Sequence, residues 1–185
     1  MNLKALFIPL VLSLVFSCKN NREEEVKKVD ELIVLLEHTE NKFKEIDSLG
    51  LFSVYTKMIT DLKDVHYFTD TLDNETFDKI TNAYHHLSTF TAATQSFPIL
   101  KSELIHSKKQ LNNLKQDVGF GLIETSKFNA IYKEEQGILL NLNEVLDSTF
   151  ADINSKLIET ENNYPTVDSI VLHFRQLKET NSVNE

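Results

Sequence analysis

Glu103-Leu104-Ile105-His106 forms an E-x-x-H step on a helical stretch, the arrangement that carboxylate-bridged di-iron bundles use to hold metal. Those bundles need two such steps and two further glutamates, all facing the interior. This chain has one step. At roughly 100° per residue, His106 points well over about 120° from the line through Leu104 and Leu111, which directs it to water. His85-His86 is the next pair with ligand chemistry. Adjacent helical residues diverge by about 100°, so both rings do not share one ion without a distant partner. Both also lie opposite the line of Phe77, Ile80, Tyr84 and Leu87. His66 and Asp70 stand four apart, a spacing suited to a shared metal or, as the simpler reading, to a hydrogen bond at a helix end. The acidic stretch TDTLDNETFD at 69–78 lacks the aspartate spacing, the glycine and the closing glutamate of an EF-hand loop. No Gly-rich phosphate loop, G-x-S-x-G elbow or H-E-x-x-H step occurs. Phe77, Tyr84, Phe90, Phe97, Phe128 and Tyr132 fall at helical spacing and read as core. These residues predict no catalytic group, no metal site and no cofactor.

Composition narrows the class. The 185 residues carry a net charge of −9, and 41% are apolar, enough for a packed core in one domain. Four glycines and three prolines give little turn punctuation, which favours long helices over many short strands. An acidic chain lacks the basic face that nucleic acid requires. A single cysteine excludes an intrachain disulfide and any cysteine-based zinc cluster.

That cysteine, Cys18, sits where a greasy run ends and a charged one begins. Lys4 gives a positive start, residues 5–16 are apolar apart from Pro9 and Ser13, and Lys19-Asn20-Asn21-Arg22-Glu23 follow Cys18 at once. This is the layout of a secretory signal peptide. A helix of that length reaches about 18–20 Å, short of a hydrocarbon core of about 30 Å, so a permanent spanning anchor is not expected. Val15-Phe16-Ser17-Cys18 resembles the lipobox of bacterial prolipoproteins, with an aliphatic residue three before the cysteine and a small one just before it. Phe16 departs from the small residue usual at the middle position. The resemblance covers residues 1–18 and implies cleavage between Ser17 and Cys18, thioether lipidation of Cys18 and acylation of the new amino terminus. Several acyl chains anchor stably where one does so only marginally. Lys19, in place of the aspartate that signals inner-membrane retention, tilts the resemblance toward the outer membrane, on a side left undetermined.

The rest of the chain must supply the elements. Residues 1–17 read as signal peptide, 18–22 as lipidated cysteine and polar tether, 23–179 as the folded domain and 180–185 as a frayed tail. Val26, Val29, Ile33, Leu36, Phe43 and Ile46 mark a first helix ending near Ser48-Leu49-Gly50. Leu51, Tyr55, Met58, Leu62 and Val65 mark a second, and Asp73 or Asn74 caps a third. Pro98 falls in the first turn of a fourth, where Phe97, Leu100, Leu104, Leu111, Leu114 and Val118 keep a heptad with Ser107 as its polar slot. GFGLIETS at 119–126 reads as a turn with Thr125 or Ser126 as the following cap. The fifth segment spans 127–163, with Leu139, Leu142, Leu146, Phe150, Ile153 and Leu157 on one face and a break expected at Gly137. Pro165 ends it, and a short last helix follows. Such stripes must bury against one another, which predicts an all-α, elongated antiparallel bundle of five or six helices with coiled-coil-like packing.

The functional expectation is a non-enzymatic envelope lipoprotein, held on a bilayer through acylated Cys18 and acting through contacts with an envelope protein partner. The alternative is a small-ligand-binding bundle with a pocket between helices.

Overall fold

Six helices account for almost all of the described chain, and no strand occurs among the described residues. The computed structural model describes residues 4–68 and 72–183, with side chains for 22–68 and 72–180. The helices are α1 (Lys4–Lys44), α2 (Ser48–His66), α3 (Asn74–Ala83), α4 (Leu87–Gly119), α5 (Thr125–Thr149) and α6 (Ile153–Val183). The protein is an all-α helical bundle. Its contacts resolve into two units, residues 1–43 with 100–146 and residues 44–99 with 147–185.

In the first unit, Val29, Leu32 and Leu36 of α1 are buried, as are Leu104, Leu111, Leu114 and Val118 of α4 and Phe128, Leu139, Leu142 and Leu146 of α5. Steps of three and four recur along each helix, the spacing of helices packed through one narrow seam. Polar contacts give the directions. Lys108 pairs with Glu40 at 2.9 Å and Lys115 with Asp30 at 2.6 Å, so α4 runs antiparallel to α1. Lys42 Nζ donates to Asn143 Oδ1 at 3.1 Å, and Arg22 lies against Gly121 just before α5, so α5 runs parallel to α1. The turn after α4 is a Schellman cap, with Leu122 N–H donating to Asp117 C=O at 2.8 Å and Gly121 N–H to Val118 C=O at 2.9 Å. Gly121 has φ 71°, a left-handed conformation that glycine adopts without a Cβ clash. Glu124 supplies the carbonyl for the first bonds of α5, one residue before the expected cap Thr125.

The second unit repeats this pattern of directions. Asn154 bonds to Glu45 and Asp47, Lys57 to Asp168, and Arg175 to Asp61 and Asp64, so α2 and α6 run parallel. Tyr84 bonds to Asp61 while Phe97 meets Phe52 at 5.9 Å, so the segment from α3 into the start of α4 runs antiparallel to α2.

Several boundaries differ from the sequence expectation. Gly50 does not terminate α1; it lies in the first turn of α2, where its N–H donates to Asp47 Oδ1 at 2.9 Å. Aspartate is a strong N-cap, and a Cβ on Gly50 would collide with the Asp47 carboxylate. The third helix ends at Ala83 rather than near Pro98, which sits inside α4. The break expected at Gly137 falls instead at 150–152, where Asp152 takes φ 55°, a conformation aspartate tolerates better than most residues. Pro165 lies inside α6 on its exposed face, and the buried line Leu157, Thr160, Val167, Val171 continues through it. Burial on both sides outweighs the lost bond, worth about 3 kcal/mol at most helix interiors. Helix α1 also runs through residues 18–22, read as a tether, because Cys, Lys, Asn and Arg there include no glycine or proline. Helix α6 likewise runs past Thr180 to Val183, while residues 184–185 lie outside the described residues. The side chains of Ser17 and Cys18 lie outside the described residues too. Among the described residues no helix is long and apolar enough to cross a membrane.

The first unit also buries polar groups in its seams. Ser107 takes its expected heptad slot, and its Oγ, Glu25 Oε1 and Glu135 Oε2 have no hydrogen-bond partner among the described residues. Burial first, then the neighbouring charge of Glu134, raises the Glu135 carboxyl above its ordinary 4.5, against a smaller opposing pull from His106. A raised folded-state pKa contributes stability below the unfolded value that is lost as pH rises through the folded one. Glu135→Gln should therefore raise the melting temperature at pH 7, by the equivalent of about 1 kcal/mol. The gain over wild type should shrink as pH falls from 7 through the raised folded-state value and level off below the ordinary 4.5. Thermal denaturation of both proteins across pH 3–8 by circular dichroism checks the trend.

Candidate functional site

The second unit brings together the groups with chemistry, and their placement starts from one buried carboxylate. Along α2 the buried positions are Leu51, Val54, Met58, Asp61 and Val65. Asp61 thus occupies a core slot, with 1% of its surface exposed. Its Oδ2 accepts from Lys57 Nζ at 2.7 Å and from the Tyr84 hydroxyl at 2.6 Å, and its Oδ1 accepts from Arg175 Nη2 at 2.7 Å. Arg175 Nε donates to Asp64 at 2.7 Å, and Lys57 also donates to Asp168 at 2.7 Å. Burial opposes the charge of Lys57, but its bonds to Asp168 and Asp61 hold the ammonium above its ordinary range. The bond from Arg175 holds the Asp64 carboxyl below its ordinary range. Burial, then the bond to Asp61, pushes the Tyr84 phenol far upward, so it acts as a donor.

Tyr84 is the first residue after α3, at φ −109° and ψ 20°, and its anchored hydroxyl holds the chain out of helical register. Residues 84–86 form a turn before α4 begins. This changes the histidine geometry. On one continuous helix His85 and His86 would diverge; in the turn their rings lie 3.8 Å apart between centroids. Both face Glu159 on α6. His86 Nε2 is 3.1 Å from one carboxylate oxygen and His85 Nε2 is 3.5 Å from the other. His85 Nδ1 lies 2.6 Å from the Asn82 carbonyl. A carbonyl can only accept, so Nδ1 carries a hydrogen, and in the neutral ring Nε2 then presents a lone pair. The sequence reading requires a distant partner before both rings share one ion, and Glu159 stands in that place: one ligand atom from each of His85, His86 and Glu159 falls within 4.8 Å of the others. The His86 bond holds the Glu159 carboxyl below its ordinary range, against a small effect of burial.

Beside this cluster, α2 and α3 leave an open groove of about 690 Å³. Ile59, Leu62, Val65, Phe77 and Ile80 give it apolar walls, and Lys63, His66 and His85 stand among its polar lining groups. Phe77, read as core, is 52% exposed on this wall. Phe77 stands in the first turn of α3, on the side that walls the groove.

The other candidates stay apart. Glu103 and His106 are both exposed, as their helical angle required. Asp73 caps α3, accepting from Thr76 N–H at 2.8 Å. Asp70, the expected partner of His66, lies outside the described residues. Sequence reasoning missed Asp61, Arg175 and Glu159. Asp61 had a signal: the steps 51, 54, 58, 61, 65 place an acid on the buried stripe, visible once Val54 is chosen over Tyr55. Glu159 had none, since it is 73 residues from His86.

Tyr84→Phe should destabilise the protein by about 1–3 kcal/mol, because a buried carboxylate loses a donor that water does not replace. Urea denaturation measures it, and an unchanged midpoint would mean that Lys57 and Arg175 satisfy Asp61 alone. Comparison of the chain with protein-family models, with curated proteins and with solved structures returns no match, so the reading of this site rests on its own geometry.

Proposed function

We propose that the chain is a lipid-anchored protein of the bacterial envelope that acts by binding rather than by catalysis, taking an apolar or amphiphilic small molecule in the groove between α2 and α3. The groove carries the reading. Its volume, about 690 Å³, falls within the range of small-molecule sites, and its walls are apolar with a few polar groups at hand. An amphiphile would lay its tail along Leu62, Phe77 and Ile80 and bring its polar end to Lys63 or His66.

The address rests on the lipobox resemblance of residues 15–18. One feature of the first unit supports it. The Arg22 guanidinium stands where a Cβ on Gly121 would be, so the turn after α4 lies beside the residue four positions beyond Cys18. Phe120 and Leu122 of that turn are 75% and 71% exposed. Apolar side chains displayed beside a lipidated terminus suit a bilayer interface. The same exposed residues also favour contact with an envelope protein partner, which is the second reading.

Two experiments test the proposal. Cys18→Ala should leave an unprocessed or released protein, and metabolic labelling of the wild type should place lipid on the chain. A variant that still fractionates with membranes as a processed form, with an unlabelled wild type, would refute the anchor. For the groove, a fluorescent fatty acid should bind the wild type saturably and lose about tenfold in affinity with Phe77→Asp, the equivalent of about 1.4 kcal/mol. Equal binding by both proteins would refute the groove as the site.

A further inference from the structure

We propose that His85, His86 and Glu159 form a binding site for a divalent transition-metal ion of the zinc class. Two imidazoles and one carboxylate are a donor set that zinc takes, with water in the fourth position. Calcium and magnesium favour oxygen ligands throughout. At metal–ligand distances of about 2.0–2.2 Å, tetrahedral ligands stand about 3.3–3.5 Å from one another. The two histidine–carboxylate separations are 3.1 and 3.5 Å, to different oxygens of Glu159. One ligand atom from each of the three residues lies within 4.8 Å of the others, so the side chains draw together to admit an ion.

The supporting contacts also fit. The hydrogen bond from His85 Nδ1 to the Asn82 carbonyl fixes the tautomer that leaves Nε2 free to ligate, the usual outer support of a metal-bound histidine. His86 is 14% exposed and held by the packing of its ring at 6.0 Å from that of Phe90. His85 and Glu159 are 45% and 55% exposed, which leaves an approach from solvent. In the metal-free site, a hydrogen on His86 Nε2 is donated to Glu159. The ion takes that position, the ring gives up the hydrogen on Nε2 and carries one on Nδ1 by exchange with solvent, and the imidazole binds neutral. A bound ion would join the turn after α3 to α6. Because His85 also lines the apolar groove, the ion would sit at the groove's edge. The site stands independently of what the groove binds.

Titration calorimetry of the full chain with zinc chloride should give one ion per chain, and magnesium or calcium chloride should give no saturable heat. Glu159→Gln and the double variant His85→Gln/His86→Gln should each weaken zinc by more than the roughly 10–100-fold that loss of an outer-shell partner costs. His106→Gln should bind as the wild type does. Cobalt(II) added to the wild type should give an intense visible band of low coordination number that zinc abolishes, a readout that needs no variant. The proposal is overturned if the wild type shows no saturable zinc binding, as for a simple histidine–carboxylate ion pair. It is equally overturned if Glu159→Gln and the double variant bind as tightly as wild type, or if cobalt keeps the spectrum of its hydrated ion.

Discussion

Asp61 is a charge placed where an apolar residue would pack more cheaply, and the second unit is organised around satisfying it. An isolated buried carboxylate is costly, and removing one partner of a buried pair typically costs about 3–5 kcal/mol. Asp61 has donors from three directions: Lys57 on its own helix, Arg175 on α6 and Tyr84 after α3. Arg175 and Tyr84 each fix a different element in register with α2. Arg175 and Lys57 extend the network to Asp64 and Asp168, so the parallel pairing of α2 and α6 is specified by charge as well as by shape. Hydrophobic burial supplies most of the stability, and the carboxylate specifies the arrangement.

The same constraint positions the histidines. Because the Tyr84 hydroxyl must reach Asp61, α3 stops at Ala83 and the chain turns before α4. The turn swings two rings that a helix would separate onto one side, where Glu159 meets them. The groove lined by Phe77 and the facing wall of α2 reaches the same turn at Tyr84 and His85, so the groove and the histidine cluster are neighbours. The first unit is different in kind: its seams carry Ser107, Glu25 and Glu135 without such a network, and its polar slots interrupt apolar lines rather than join helices.

The hydrogen bonds of Asp61 tie α2 to α6 and to the turn after α3. The binding role and the anchoring proposed above draw on the open apolar groove and on the exposed Phe120 and Leu122 that flank Gly121.

The sequence by itself determined the all-α class and much of the core. Scarce glycine and proline, with apolar steps of three and four, leave helices as the only way to bury the stripes; Leu100, Leu104, Leu111, Leu114 and Val118 are buried as that spacing requires, as are Leu139, Leu142 and Leu146. Asp73 was legible as a cap because capping is local chemistry. Breaks were less legible, because they follow long-range contacts. Pro98 and Pro165 carry strong local signals yet stay inside helices, while the chain breaks at 84–86 and 150–152, at residues with modest ones. Tyr84 answers to Asp61, 23 residues away. His86 meets Glu159 across 73 residues. Periodicity records which face of a helix is buried; it does not record which helix lies opposite, and only the tertiary structure decided that two histidines and a glutamate would share one place.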